Sequence, residues 1–196
     1  MNVSKLIGWF IIVGLIVGSA AAVIHFADKS RGEIPVYGPV AEFELTERSG
    51  QPFQVAAMKN KITILNFFFT TCPGPCPRMN AKVAELYRGF STSDKVQFVS
   101  ITVDPERDSL QALREYANTM GVSDNRWLFL RGPGDEIHRI SEKIFMLGGE
   151  LPSMHSTKLI LVDADLQIRG YYSSEDEAVL QMLKTHVREL LERLPA

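Results

Sequence analysis

The sequence predicts a mixed α/β domain in which parallel strands alternate with helices, an antiparallel hairpin and a covering helix close the chain, and one transmembrane helix precedes it. Three observations carry that expectation. Two short, nearly continuous apolar runs, 62–69 and 96–103, read as strands buried on both faces. Segments of helical spacing separate the strands, and that alternation requires parallel pairing with crossover connections. Finally, no charged residue occurs from Leu6 to Ala27, a run of 22. As a helix that run is about 33 Å long, enough to cross a hydrocarbon core of about 30 Å.

Charge and composition exclude several classes of function. The 196 residues include 21 Lys+Arg against 23 Asp+Glu, a formal net charge of −2. Neutralising phosphates takes a clear cationic excess, so a basic nucleic-acid binder is excluded. With 45% hydrophobic and 22% charged residues the chain is not disordered. Two cysteines are too few for a disulfide scaffold or a four-thiolate zinc site. All 23 acids follow Ala27, and Lys5 is the one base before it. Residues 1–27 therefore read as a membrane anchor. The competing reading is a signal peptide cut after Ala20, Ala21 and Ala22, but its apolar region would be longer than the usual 7–15 residues. Either way the globular part is exported. Lys5 before the span and Lys29 and Arg31 after it give orientation almost no vote.

Residues 28–40, polar with two Pro and two Gly, read as a linker, and 41–196 as the domain. Alternating apolar residues about Ser49–Gly50 predict a hairpin within 41–55. After the strand at 62–69, Met79, Val83, Leu86 and Tyr87 give 76–90 helical spacing. The second strand, 96–103, leads to a helix at 109–121, with Asp108 as its N-cap, Gln111 as capping-box partner and Gly121 as its stop. WLFL at 127–130 is a third strand, and 135–147 a helix closed by Gly148–Gly149. Strands 157–163 and 166–173 flank a tight Asp-Ala-Asp turn and pair antiparallel. The last segment, 175–194, carries an apolar stripe at Val179, Leu183, Val187, Leu190 and Leu194. This order defines a thioredoxin-like fold with an N-terminal β-hairpin and an extra βα unit.

Cys72 and Cys76 fall just past the first buried strand, at the mouth of a helix. That is the carboxyl edge of the sheet, where open α/β folds bind ligands. Helix amides and the dipole there are expected to stabilise thiolate and lower its pKa. Pro73, Pro75 and Pro77 remove backbone donors and stiffen the loop, and Gly74 gives room for two sulfurs to approach. Core packing does not ask for two cysteines four apart in such a loop. Two chemistries fit: reversible dithiol–disulfide exchange, and capture of a soft ion such as Cu(I). Two sulfurs leave a metal site open, so a third ligand is needed.

Among the four histidines, His25 ends the anchor, His138 stands among charges on a solvated helix face, and His186 flanks the apolar stripe of the last helix. His155 differs, because it lies in the loop before strand 157–163. If that strand runs antiparallel beside 62–69, its start faces the cysteine loop. An imidazole with two thiolates makes a trigonal site suited to Cu(I), with room for a fourth ligand under Cu(II). An ordinary loop histidine is the simpler alternative. Met154 is a soft auxiliary candidate beside it. Asp104, ending strand 96–103 on the same edge, either tunes the site, meets a partner or caps a turn.

The blocks TTCPGPCP (70–77), SITVDPERDS (100–109) and MHSTKLILVD (154–163) together resemble the Sco/SenC family of membrane-anchored copper proteins. The resemblance covers about residues 40–195, with the blocks in the family's order and spacing. It implies a thioredoxin-like domain that binds one copper ion through two Cys and one His, here Cys72, Cys76 and His155. It also implies copper delivery to, or reduction of the cysteines of, the dinuclear copper centre of cytochrome c oxidase, with other copper chaperones or thiol reductants as partners. The implied location is the bacterial periplasm, or the mitochondrial intermembrane space, with the N-terminus inside; a leader without an Arg-rich transit peptide favours the bacterial case. One departure stands out: the family often has an acidic residue between the cysteines, as CPDxC, where this chain has Gly74.

Three functions compete. They are a metallochaperone, a thiol-disulfide oxidoreductase using Cys72 and Cys76 as its catalytic pair, and a peroxidase of the peroxiredoxin kind. Thioredoxin-type reductases resemble one another in a CxxC pair and a proline directly before the facing strand. Here the spacing is CxxxC and the facing stretch is His155-Ser156-Thr157-Lys158, which favours copper. The peroxidase needs Thr and Pro ahead of its cysteine, and 62–69 contains no Pro.

Overall fold

The computed structural model describes residues 9, 12–14, 18–19, 33–148 and 156–194. The chain divides into two compact units, Met1–Ile34 and Pro35–Ala196. In the first, the described residues Trp9, 12–14 and 18–19 are helical and exposed. Among the described residues no helix is long and apolar enough to cross a membrane. Most of the expected anchor, His25 included, lies outside the described residues.

The second unit is an eight-stranded sheet among its described residues. Its strands are β1 (Gly38–Pro39), β2 (Glu44–Glu47), β3 (Pro52–Gln54), β4 (Ile62–Phe68), β5 (Val96–Thr102), β6 (Trp127–Arg131), β7 (Lys158–Val162) and β8 (Gln167–Ser173). They lie in the order β1-β8-β7-β4-β5-β6-β2-β3. The helices are α1 (Cys76–Gly89), α2 (Leu110–Thr119), α3 (Gly134–Arg139) and α4 (Glu177–Glu192). β4, β5 and β6 pair in parallel, as their separation by helices requires. β7 is antiparallel to β4, with Thr63 opposite Val162 and Leu65 opposite Ile160, and β8 returns antiparallel along β7. Every residue of β4 and β5 is buried, which accounts for their unbroken apolar runs.

The β2–β3 hairpin joins the sheet antiparallel to β6. At the other edge, the stretch expected to be linker already pairs: Tyr37 N–H donates to Ile168 O at 2.9 Å and Val40 N–H to Leu166 O at 2.8 Å. Two further expectations are corrected. The helix at 135–147 is α-helical only over Gly134–Arg139 and widens to a π-turn at Ile140–Ile144. Ile137, Ile140, Ile144 and the adjacent Phe145 all reach the core, at the spacing of one helix face. The N-cap of α2 is Ser109, whose side chain accepts from Ala112 N–H at 3.2 Å, and not Asp108.

The strand period of two divides the core between the faces of the sheet. Leu65, Phe67, Val99, Ile101, Ile160 and Val162 pack with α3 and Phe145. The alternate residues face α1, α2 and α4. There Phe68 lies against Tyr116, and Trp127 stacks on Phe129 at 5.1 Å.

Candidate metal and thiol site

β4 ends at Phe68, and the chain turns out through Thr70 and Thr71 to Cys72 before α1 begins at Cys76. Pro75 takes the N-cap position with no side-chain cap, and its carbonyl accepts from Met79 N–H at 2.9 Å. Pro73, Gly74 and Pro77 are exposed while both cysteines are buried, so the sulfurs lie just beneath a stiff, mostly donor-free rim. A Cβ on Gly74 would stand 4.0 Å from Cys72 Sγ, in ordinary contact. Neither cysteine is in a disulfide.

The two thiols are neighbours in this pocket. Burial first, and then the Cys72 thiol beside it, push Cys76 up to about 12, against the pull of a backbone hydrogen bond at Phe69. This corrects the expectation that the helix N-terminus lowers the thiol pKa at that residue: removal from water outweighs the dipole. In this pocket Cys76 carries a proton until something replaces it.

The loop is held from below by Asp108, which is fully buried. Its carboxylate accepts from Thr70 N–H at 3.1 Å, from the Thr70 hydroxyl and from the Thr102 hydroxyl. Thr102 in turn accepts from Asp104 N–H at 3.1 Å. Asp104 pairs with Arg107 at 3.1 Å, and its carbonyl accepts from Asp108 N–H, so it closes the 104–108 turn. The capping alternative for Asp104 is the one its contacts fit.

His138 pairs with Glu142 at 3.2 Å on an exposed face, and His186 Nδ1 meets Tyr172 OH at 2.6 Å. Both match their expected structural roles. His155 and Met154 lie outside the described residues. Among the described residues no group of three His, Cys, Asp or Glu side chains is placed to hold a metal ion. The two thiols are the described part of the site. They are adjacent, soft and buried, a donor pair that fits a monovalent copper ion better than a hard cation. Sequence reasoning missed Asp108 as the clamp on the loop. It also missed a buried polar pair, Asn66 on β4 and Asn80 on α1; the one signal for Asn66 was a lone amide inside the apolar run ITILNFFF.

Fold and site together define a thioredoxin-like domain with a dithiol at the carboxyl edge of its central parallel strands. Residues 37–191 match the SCO1/SenC family model, and the chain belongs to that family. It is 27% identical over 146 residues to the SCO1 protein homolog of Bacillus subtilis, covering 71% of this chain and 76% of that protein. It is 27% identical over 167 residues to the mitochondrial SCO2 homolog of Mus musculus, covering 79% of this chain and 64% of that one. Among solved structures, a SCO1/SenC family lipoprotein from Bacillus anthracis superposes with a TM-score of 0.74 at 26% identity, over 80% of this chain and 97% of that chain. The copper-bound ScoI of Arabidopsis thaliana shares the fold, with a TM-score of 0.64 at 24% identity over 76% of this chain and 98% of that one.

Proposed function

We propose that the chain holds one copper ion through Cys72, Cys76 and His155, and delivers it to the dinuclear copper site of cytochrome c oxidase or keeps that site's thiols reduced. The domain would work in the bacterial periplasm, tethered by residues 1–27. The observation that carries the reading is the antiparallel pairing of β7 on β4. It puts the start of β7, three residues after His155, at the same end of the sheet as the cysteine loop. The copper-bound state of the Arabidopsis relative supports the ion, and a solved relative, BsSco, is described as a member of the Sco family of cytochrome c oxidase assembly proteins.

Bound to two thiolates, copper displaces their protons, so affinity falls with acid. Docking of an acceptor with better-placed ligands then exchanges the donors one at a time. The test is anaerobic Cu(I) titration of the full chain and of His155→Ala. Tight one-to-one binding that weakens at least tenfold in the variant, about 1.4 kcal/mol, supports the proposal. Unchanged binding removes His155 from the site.

A second reading is thiol-disulfide exchange. The closeness of the two buried thiols favours it, and a disulfide switch is described in the relative BsSco. Insulin reduction assayed on the same two proteins separates it: turnover that ignores His155 makes this the main activity.

A further inference from the structure

The face of the sheet beneath α1 holds a chain of buried hydrogen bonds. Trp127 Nε1–H donates to Ser100 Oγ at 2.9 Å, and Ser100 Oγ–H to Asn66 Oδ1 at 2.7 Å. Asn66 Nδ2–H donates to Asn80 Oδ1 at 2.9 Å, and Asn80 Nδ2–H to Tyr116 OH at 2.8 Å. An indole N–H can only donate. At Asn66 the sense is set by the Met79 thioether, which can only accept and lies beside Nδ2. The chain runs one way, from β6 through β5 and β4 into α1 and across to α2, and the Tyr116 phenol oxygen is its last acceptor.

Packing alone does not call for these groups, because apolar residues of the same shape are nearly neutral or better for stability. What they add is direction. The first turn of α1 has no side-chain cap. Asn80, wholly buried, stands four residues beyond Cys76 and so on the same helix face. Met79, beside it, also meets Asn66, whose Nδ2 is 3.9 Å from the thioether sulfur. The helix that carries Cys76 is thus pinned from behind to the sheet while its mouth stays open. At the far end, Tyr116 packs on Phe68, the last residue of β4 before the cysteine loop, with ring centroids 5.1 Å apart.

We propose that Asn66, Asn80 and Tyr116 are positioning residues for the thiol pair: the chain sets the rotation of α1, and with it the placement of the two sulfurs and the balance between dithiol and disulfide. This rests on the pair being a reactive dithiol, and holds with or without copper as cargo. The step is balanced with oxidised glutathione as acceptor. The Cys72 and Cys76 S–H bonds give way to one S–S bond. The two electrons and two protons released reduce the glutathione disulfide to two thiols.

The test equilibrates the full chain in mild detergent with glutathione redox buffers and measures Tm in both redox states. Tyr116→Phe and Asn80→Leu should each shift the dithiol–disulfide equilibrium about tenfold, which is about 30 mV for this two-electron couple. Val83→Ala, buried in the same helix outside the chain, should lower Tm while leaving that equilibrium within about twofold. If Asn80→Leu fails to fold, Tyr116→Phe, which removes a single oxygen, decides the matter. Shifts below about twofold in the chain variants, with Tm lowered equally in both redox states, overturn the proposal, as does an equal shift in Val83→Ala. A wild-type protein that takes no Cu(I) but shows the variant shifts loses the copper reading and keeps this one. A wild-type protein that forms no reversible disulfide overturns this one.

Discussion

The two faces of the sheet are built from the same strands and do different work. On the α3 face, Leu65 and Phe67 of β4 and Val99 and Ile101 of β5 meet Ile137, Ile140 and Phe145 in apolar contact, and a buried polar pair, Gln97 Nε2–H donating to Thr63 Oγ1 at 2.8 Å, lies at the end of these strands away from the cysteines. On the α1 face, the intervening positions include Asn66, Ser100 and Thr102, each buried and each hydrogen-bonded. Apolar contact is roughly proportional to area and indifferent to direction. Hydrogen bonds are directional and costly to leave unmade. The first face therefore sets how stable the domain is. The second sets where a few side chains point, and the cysteines open at its edge.

The comparison breaks most visibly at Phe145, which is fully buried and packs edge-on against Phe43 and Phe67. Phe145→Ala should cost about 3–5 kcal/mol in urea unfolding and leave Cu(I) affinity within about twofold, because no polar bond to the loop is touched. A large loss of affinity would show that the faces are not separable.

Next in size is Asp108→Ala, on the polar side. It strands Thr70 N–H and the hydroxyls of Thr70 and Thr102 in a buried setting. A loss of about 2–3 kcal/mol is expected. Amide exchange at 70–72 should quicken well beyond what that global loss explains. Exchange that rises evenly across β4 and the loop would mean that Asp108 supports the fold and not the cysteine loop.

The same contrast explains what the sequence made legible. Continuous apolar runs give β4 and β5 away, because burial on both faces forces them, and alternation with helices gives the parallel pairing. Cys72 and Cys76 are conspicuous because nothing in packing requires them there. The π-turn at Ile140–Ile144 was hidden, because Ile137, Ile140, Ile144 and Phe145 keep the spacing of an ordinary helix face and periodicity does not tell the two apart. Asp108 read as an N-cap because Asp before a helix usually is one; only the fold brings Thr70 and Thr102 to it from β4's end and β5. The high pKa of Cys76 is likewise a property of burial, which a dipole argument made along the chain does not contain.

A smaller effect is expected at Gly74, where the family often places an acid. Its backbone is not in the left-handed region, and an added Cβ meets only Cys72 Sγ at 4.0 Å. Gly74→Asp should therefore keep Tm within about 2 °C, as surface changes do. A carboxylate on this exposed rim, about 5 Å from the buried sulfurs and with water on its outer side, is worth about 0.8 kcal/mol per unit of charge. Because Cu(II) carries one more charge than Cu(I), the variant should favour Cu(II) by about fourfold, read as a lower copper reduction potential. An unchanged potential would mean that the side chain turns away from the sulfurs.

The smallest expected effect lies on the α4 side, at a histidine that serves only the fold. Burial lowers the pKa of His186 below its ordinary 6.5, Glu189 opposes that shift, and Arg169 adds to it. The neutral ring meets Tyr172 OH at 2.6 Å, and burial holds the Tyr172 phenol protonated. A depressed folded pKa means that the unfolded chain binds the proton more readily. The contribution is complete above about pH 6.5 and drains away as the pH falls through the lower folded value. His186→Gln should cost about 0.5 kcal/mol at pH 7.5 and flatten the decline in Tm between about pH 6.5 and 5. Cu(I) affinity at pH 7.5 should not change, since the ring touches neither the loop nor the polar chain. A variant whose Tm falls with acid as steeply as the wild type would place the pH sensitivity elsewhere and leave His186 a packing residue alone.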